Sequence, residues 1–412
     1  MQTFLVGGAV RDKLLNYPVR EYDWVVLGET PETMLEQGFQ AVGKDFPVFL
    51  HPKTHDEYAL ARTERKTSGG YKGFAIHTSP DVTLKEDLIR RDLTINAIAM
   101  SDEGEIIDPY NGQDDLKNRI FRHVSPAFAE DPVRILRVAR FAARYAHLGF
   151  TLAEETRQLM QQMVEAGEVE HLVAERVWAE VHKALTEQTP AAFFETLKTC
   201  GALERIFPEI ANLFGVPQPE TYHPEIDTGI HCLLVLEQAA KLSDKPEVRL
   251  AALLHDLGKA LSPAEMLPSH RGHEKTGIPL LEEFCKRLRV PNHFKALALQ
   301  VMRHHTHSHK ALELRPATLC DMLADLGAFK KTHHLDDFLL ACEADCKGRT
   351  GKENTPYPQA AYITQAAKAA ANIDTSKVLQ SELRGAQIGE AIRRLRIEAI
   401  AKFKATYIPE NT

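Results

Sequence analysis

A chain of 412 residues, 44% of them hydrophobic and 26% charged, is too long for a single hydrophobic core and predicts two to four domains, each burying a core of its own. The formal net charge of −7 excludes a globally basic protein and confines any nucleic-acid site to a local basic surface. Six cysteines without a CxxC pair argue against a zinc ribbon or a disulfide scaffold; with no charged-then-apolar leader and no run of about eighteen apolar residues, they predict a cytoplasmic protein without a membrane partner.

From the N-terminus, the apolar run Phe4 to Val6 opens onto Gly7 and Gly8, and Arg11 and Asp12 fall in the first turns of a helix. A second apolar strand, Trp24 to Leu27, has Glu21 and Asp23 at its mouth. Extended backbone over 21 to 26 puts both carboxylates on one face, where they repel unless a divalent cation lies between them. This reads as a metal site for a phosphate substrate. Thr30-Pro31-Glu32 starts a short helix, and Phe46 to Arg62 reads as two strands joined at a polar turn. The basic, glycine-rich stretch Thr63 to Phe74 is either a solvated hairpin loop or a lid over the site, with composition favouring the loop. Leu84 to Met100 has helical spacing around Arg90-Arg91-Asp92, groups suited to a triphosphate and a ribose but equally to an ion pair. Asp108, in a strand that stops at a Pro-Tyr-Asn-Gly turn, is read as a third carboxylate near the metals or as a turn cap.

In Glu130 to Arg144, acids precede Pro132 at a helix start, and Arg134, Arg137, Arg140 and Arg144 follow at three- and four-residue steps. The row is a solvated face or a phosphate grip, and Asp131 and Arg134 carry the donors and acceptors for a base edge. Helical faces at 152–164, 174–185 and 191–197 predict a helical neck, in which His171, Glu175, Arg176 and Trp178 read as packed connector residues or as a binding surface. Phe214 to Pro219 is the best linker signal. Beyond it, His231, the adjacent His255 and Asp256, His270, His273, His304, His305, His307, His309 and Asp345 offer imidazoles and carboxylates for a water-activating transition metal. The tail ends in a basic helix at 376–404, which either touches RNA or is simply solvated.

LVGGAVRD (5–12), the acidic pair before WVV, RRDLTINAIA (90–99), IIDPYNG (106–112), EDPVRILRVARFAAR (130–144) and HDLGK (255–259) occur in this order, and over nearly its whole length the chain resembles the bacterial tRNA nucleotidyltransferases that carry an HD domain, the multifunctional CCA-adding proteins. The resemblance implies an α+β architecture: a polymerase-β-like nucleotidyltransferase head with a mixed sheet over 1–140, an all-α neck over 141–219, an HD phosphohydrolase domain over 223–329 and a helical tail over 330–412. It implies that Gly8 and Arg11 bind the triphosphate, that Glu21 and Asp23 hold magnesium, and that Arg91 and Asp92 contact phosphate and sugar. Asp131, Arg134, Arg137 and Arg140 then select CTP twice and ATP once for the 3′ end of tRNA. For the second domain it implies phosphatase, 2′-nucleotidase and 2′,3′-cyclic phosphodiesterase activities with a transition metal, nickel, on His231, His255, Asp256, His273, His305 and Asp345. Two departures stand out: Glu21 where the family usually has aspartate, and Thr306 where a second HD-like pair is expected. A poly(A) polymerase, an enzyme adding only C or only A, a non-catalytic tRNA-binding protein, and a hydrolase with a nucleotide-sensing head are the competing readings. Monomer and homodimer are both compatible with the sequence.

Overall fold

The structure, a computed structural model, describes residues 1–42, 48–66, 74–330 and 334–408, and falls into two compact units, Met1–Ile206 and Phe207–Thr412. The first unit is built on strands β1 (Gln2–Val6), β2 (Asp23–Leu27), β3 (Gln40–Val42), β4 (Val48–Leu50) and β5 (Glu57–Leu60), with helix α1 (Gly8–Leu14) after β1 and α2 (Pro31–Glu36) after β2. A hairpin, β6 (Arg62–Lys66) and β7 (Phe74–Thr78), pairs antiparallel in a small sheet of its own, and the tip of the predicted loop, 67–73, lies outside the described residues. Then come α3 (Leu84–Ile89), β8 (Ala99–Ser101), β9 (Ile106–Ile107) and α4 (Gly112–Asn118), so the stretch with helical spacing at 84–100 is a six-residue helix, a bend, a 3-10 turn at Thr94–Asn96 and the start of a strand.

The main sheet runs β3-β4-β5-β2-β1-β8-β9 and is antiparallel except where β2 pairs with β5. Its side-chain alternation covers both faces: Val6 and Val25 pack with Ala61, Val82, Leu84 and Leu88, while Val26 packs with Met34, Phe39, Phe49 and Leu60. Each such fully buried aliphatic side chain contributes about 1.5–3 kcal/mol. Because successive residues alternate, Asp23 shares the face of Val25, and the register sets it beside Val6 on β1 and Glu57 on β5. Asp23 and Glu57 therefore stand side by side at the ends of two central strands, next to the end of β1.

After β10 (Ile120–Phe121) the unit is almost entirely helical: α5 (Val133–Tyr145), then β11 (Thr151–Leu152) pairing with β10, then α6 (Glu154–Glu165), α7 (Ala174–Leu185), α8 (Ala191–Thr199) and α9 (Ala202–Ile206). Helix α5 packs on α7 and α8 with nearly every residue buried.

The second unit contains only helices as regular elements among its described residues: α10 (Pro208–Ala211), α11 (Thr228–Leu242), α12 (Pro246–Leu254), α13 (His273–Arg287), α14 (Asn292–His309), α15 (Pro316–Asp325), α16 (Leu335–Lys347), α17 (Pro358–Ala371), α18 (Ser376–Leu379) and α19 (Ala386–Thr406). Helices α11, α12, α14 and α16 pack against one another, and α13 packs on α14. Residues 214–219, read as a linker, belong to this unit: Pro217 bridges to Asp227, and Gln218 N donates to Ile226 O. Among the described residues no helix is long and apolar enough to cross a membrane.

Candidate functional sites

The first unit holds a cavity of about 840 Å³ lined by Gly8, Arg11, Glu21, Asp23, Arg91, Asp92, Asp131, Arg134, Arg137 and Arg140. The structure thus brings these ten residues of the head into one cavity, whereas Asp108 does not line it. Backbone geometry explains its entrance. Gly7, between β1 and α1, has φ +66°, and a Cβ there would meet Arg91 Nη1 at 3.0 Å. Only glycine lets the chain turn there and keeps the Arg91 guanidinium against the backbone.

The acidic corner differs from the sequence expectation in one member. Regular strand begins at Asp23, and Glu21 lies in the preceding loop. The third carboxylate is Glu57, the direct neighbour of Asp23 across the parallel β2–β5 pair, where partners lie about 5 Å apart. Asp108 instead caps α4, its Oδ1 and Oδ2 each accepting at 2.8 Å from the amides of Gly112 and Gln113. Burial raises the Asp23 carboxyl, with Arg91 opposing and Glu21 adding to the shift; burial, Asp23 and Glu21 raise Glu57. A divalent cation beside Asp23 and Glu57 would relieve this repulsion, although the oxygens of Glu21, Asp23 and Glu57 are not drawn into one close ligand group as those of the second unit are.

The α5 arginines are not a solvated face. Arg134, Arg140 and Arg144 are less than a tenth exposed, and each is tied to another element. Arg137 Nε donates to Asp92 Oδ2 at 2.7 Å, Arg140 Nε to Glu180 Oε2 at 2.6 Å, and Arg144 Nη2 to Asp12 Oδ2 at 2.7 Å. Arg134 donates to the carbonyls of Ala127 and Arg90 at 2.9 and 2.6 Å. Asp131 accepts both Nη groups of Arg176, at 3.1 and 2.7 Å, which brings the neck residue Arg176 into the cavity wall. Asp92 also accepts from Asn96 Nδ2 and its following amide at 2.8 Å; burial opposes its charge, but Arg137 and these donors hold it well below the usual carboxylate range. Arg11 is buried against Asp12 and Asn96, at 2.9 and 2.6 Å.

In the second unit the six candidates converge. His231, His255 and Asp256 form one group of close ligand atoms, His255, His305 and Asp345 a second, and Asp256, His273 and His305 a third; within each group the atoms lie within 4.8 Å of one another. Asp256 presents Oδ2 to His255 Nε2 at 3.0 Å and Oδ1 to His273 Nε2 at 3.1 Å, while Asp345 Oδ1 lies 3.2 Å from His231 Nε2. The opposite ring nitrogens are held from outside: His255, His273 and His305 place Nδ1 on backbone carbonyls of Ala252, His270 and Val301, and His231 Nδ1 lies 2.9 Å from Glu225 Oε1. In His255, His273 and His305 the carbonyl partner fixes Nδ1 as the protonated nitrogen and aims the Nε2 lone pair inward. His231 Nε2, His255 Nε2 and Asp256 Oδ1 are buried without a hydrogen bond among the described residues, which is the signature of ligand atoms. Burial opposes ionisation of Asp256 and Asp345, but His255 and the surrounding donors hold both well below the usual carboxylate range. His309 stands behind, its Nε2 2.6 Å from Asp345 Oδ2. His304 pairs with Asp325, and Thr306 bonds Glu274, so neither belongs to the inner group.

An acid corner at the strand ends of a mixed sheet, facing an arginine-walled cavity, together with a buried histidine–aspartate cluster in a helical unit, defines a nucleotidyltransferase head with an HD domain. Residues 3–122 match the family described as "Poly A polymerase head domain", 149–214 that described as "Probable RNA and SrmB-binding site of polymerase A", and 228–327 the "HD domain" family. The chain is 60% identical over 410 residues to a "Multifunctional CCA protein" of Methylococcus capsulatus, covering 99% of this chain and 96% of that one. It is 59% identical over 407 residues to the protein of the same name from Thioalkalivibrio sulfidiphilus, covering 99% and 100%. The chain belongs to the multifunctional CCA protein family. In fold it is similar to the CCA-adding enzyme of Bacillus stearothermophilus in complex with CTP, with TM-score 0.63 at 22% identity over 97% of this chain and 89% of that one. The Thermotoga maritima CCA-adding enzyme complexed with tRNA gives TM-score 0.63 at 20% identity over 99% and 88%.

Proposed function

We propose that the chain adds and repairs the 3′-terminal CCA of tRNA without a nucleic-acid template, using CTP and ATP and releasing pyrophosphate. The observation that carries this reading is the single cavity in which Glu21, Asp23 and Glu57 face the arginines of α5 and the Asp131–Arg134 pair. Gly8, Arg11 and Arg91 hold the triphosphate, Asp92 the ribose, and Arg137 and Arg140 the surrounding phosphate charge. Asp131, an acceptor, and Arg134, a donor, present a hydrogen-bond pattern complementary to cytosine or adenine and mismatched to uracil or guanine. Magnesium on Glu21, Asp23 and Glu57 supplies a lowered pKa for the attacking 3′-hydroxyl and charge neutralisation of the triphosphate. In-line attack of that hydroxyl on the α-phosphorus expels pyrophosphate. The tRNA is recognised by the shape of its acceptor arm and by phosphate contacts along the neck and tail.

The second unit acts as a phosphohydrolase on phosphomonoesters, 2′-nucleotides and 2′,3′-cyclic phosphates. His231, His255, Asp256, His273, His305 and Asp345 fit a transition metal, nickel, whose contribution is the activation of water. Asp256 turns Oδ2 to His255 and Oδ1 to His273, so it would hold a metal together with these imidazoles.

The test is purified protein with magnesium and tRNAs ending before CCA, after C and after CC, with each nucleotide singly and in pairs, read at single-nucleotide resolution. Two C additions, one A addition and arrest are expected. Open-ended A addition would move the assignment to a poly(A) polymerase, and C alone or A alone to a partial enzyme. No incorporation would move it to a hydrolase or a tRNA-binding protein.

A further inference from the structure

The loop ahead of α11 is tied down tightly. Gly215 N donates to Asp227 Oδ2 at 2.6 Å, Thr228 N and Oγ1 both donate to Val216 O, and the Pro217 carbonyl lies 2.9 Å from His270 Nε2. This pins Gln218, a residue none of the site motifs includes, at 2% exposure beside the histidine–aspartate cluster. Its Oε1 accepts from Lys259 Nζ at 2.5 Å, and Lys259 Nζ lies 2.6 Å from Asp256 Oδ2. An ammonium has no acceptor, so the Gln218 oxygen must face it and the amide nitrogen must face away. That nitrogen is buried and has no hydrogen-bond partner among the described residues. Leaving such a donor unsatisfied costs about 1–3 kcal/mol, so the position implies an acceptor that arrives from outside the chain.

Charge gives the class of that acceptor. A divalent ion on Asp256 and Asp345 offsets the two carboxylates and leaves the Lys259 ammonium uncompensated, next to a cation. The half-buried Arg349 adds a second cation, whose buried Nε likewise lacks a hydrogen-bond partner among the described residues, and both Lys259 and Arg349 bear electrostatically on His223 at the edge of the cluster. The unfilled groups on this side are donors and cations.

We propose that Gln218 and Lys259 form an oxyanion arm of the HD centre, which takes the non-bridging oxygens of a phosphomonoester on Gln218 Nε2 and Lys259 Nζ. This rests on the phosphohydrolase reading of the same unit. Gln218 is both a donor to phosphate and the positioning residue for Lys259.

The experiment titrates nickel-loaded full-length protein calorimetrically with inorganic phosphate, takes the part of the heat that is lost in Asp256→Asn as binding at the HD centre, and measures bound nickel by mass spectrometry. Gln218→Ala is expected to weaken that binding about tenfold, and Gln218→Glu, which keeps an oxygen for Lys259 but replaces the amide donor by a negative charge, to weaken it further, with nickel content unchanged in both. Unchanged phosphate affinity in both variants, or nickel lost in parallel with phosphate, would overturn the arm and leave Gln218 a structural support. The two readings fail separately. Gln218-dependent phosphate binding without hydrolysis of a 2′-nucleotide supports the arm and removes the hydrolase. Hydrolysis by variants that bind phosphate like the parent does the reverse, and a parent protein that binds no phosphate at the centre removes the arm.

Discussion

At the acid corner, Asp23 and Glu57 are neighbours on parallel strands, and burial has raised both carboxyls. A carboxyl raised on folding contributes stability that is fully present below its unfolded value and is lost as pH rises through its folded value. At neutral pH the metal-free corner is therefore strained, and removing one charge relieves it. Asp23→Asn is expected to raise the melting temperature of magnesium-free protein at pH 7 by roughly 1–3 °C, whereas added magnesium should stabilise the parent and leave the variant unmoved. A lower melting temperature for the variant would show that the buried Asp23 charge is not destabilising in the metal-free protein. The same geometry separates Glu57 from Asp108. Glu57→Gln should slow nucleotide incorporation by about a hundredfold, because it removes a charge beside the developing one. Asp108→Asn loses only cap strength at α4, with incorporation within about twofold of the parent. Primer-extension rates on a tRNA lacking CCA decide between them.

Along α5 the sequence spacing of Arg134, Arg137, Arg140 and Arg144 was enough to show a shared face, and the Glu-Asp-Pro start was enough to place the helix. Nothing in that spacing showed that Arg140 and Arg144 are buried and Arg137 partly exposed, because the acids that neutralise them, Glu180, Asp12 and Asp92, come from three other parts of the chain. Glu57 was hidden for the same reason. The strand Glu57–Leu60 carries an acid at its start, as β2 does, but its parallel pairing with β2 is a tertiary fact. The six histidine and aspartate candidates of the second unit were legible as chemistry, whereas Glu225, which stands behind His231, gave no spacing signal at all. The pairing has consequences for α7. Glu180→Ala leaves Arg140 buried without its carboxylate and should cost about 3 kcal/mol, read as a lower urea midpoint at unchanged slope. Arg176→Ala instead frees both oxygens of Asp131 from the guanidinium that orients them. It should reduce discrimination against UTP and GTP about tenfold while leaving the urea midpoint nearly unmoved, since this pair is more exposed. If selectivity is retained, Asp131 is oriented by something other than Arg176.

Across the molecule, the two chemistries are divided between the two compact units. The residues lining the arginine-walled cavity lie in Met1–Ile206, and the clustered histidines and aspartates lie in Phe207–Thr412. Each set carries its own acids: in the head, burial raises Asp23 and Glu57 while Arg137 helps hold Asp92 low, and in the second unit Asp256 and Asp345 are held low against burial by the groups around them. The two ligand types suit different ions. An acid corner of carboxylates alone accepts a hard cation, while imidazoles with a carboxylate accept a softer one. In the full-length chain, Asp23→Asn should therefore abolish incorporation of C and A into tRNA, by more than about a hundredfold, and leave hydrolysis of a 2′-nucleotide within about twofold of the parent. Asp256→Asn should do the reverse and should also lower the nickel retained after dialysis, while magnesium-dependent incorporation persists. Loss of both activities in either variant, with circular dichroism and melting unchanged, would mean that the two units share a catalytic requirement, and the division of labour between them would have to be abandoned.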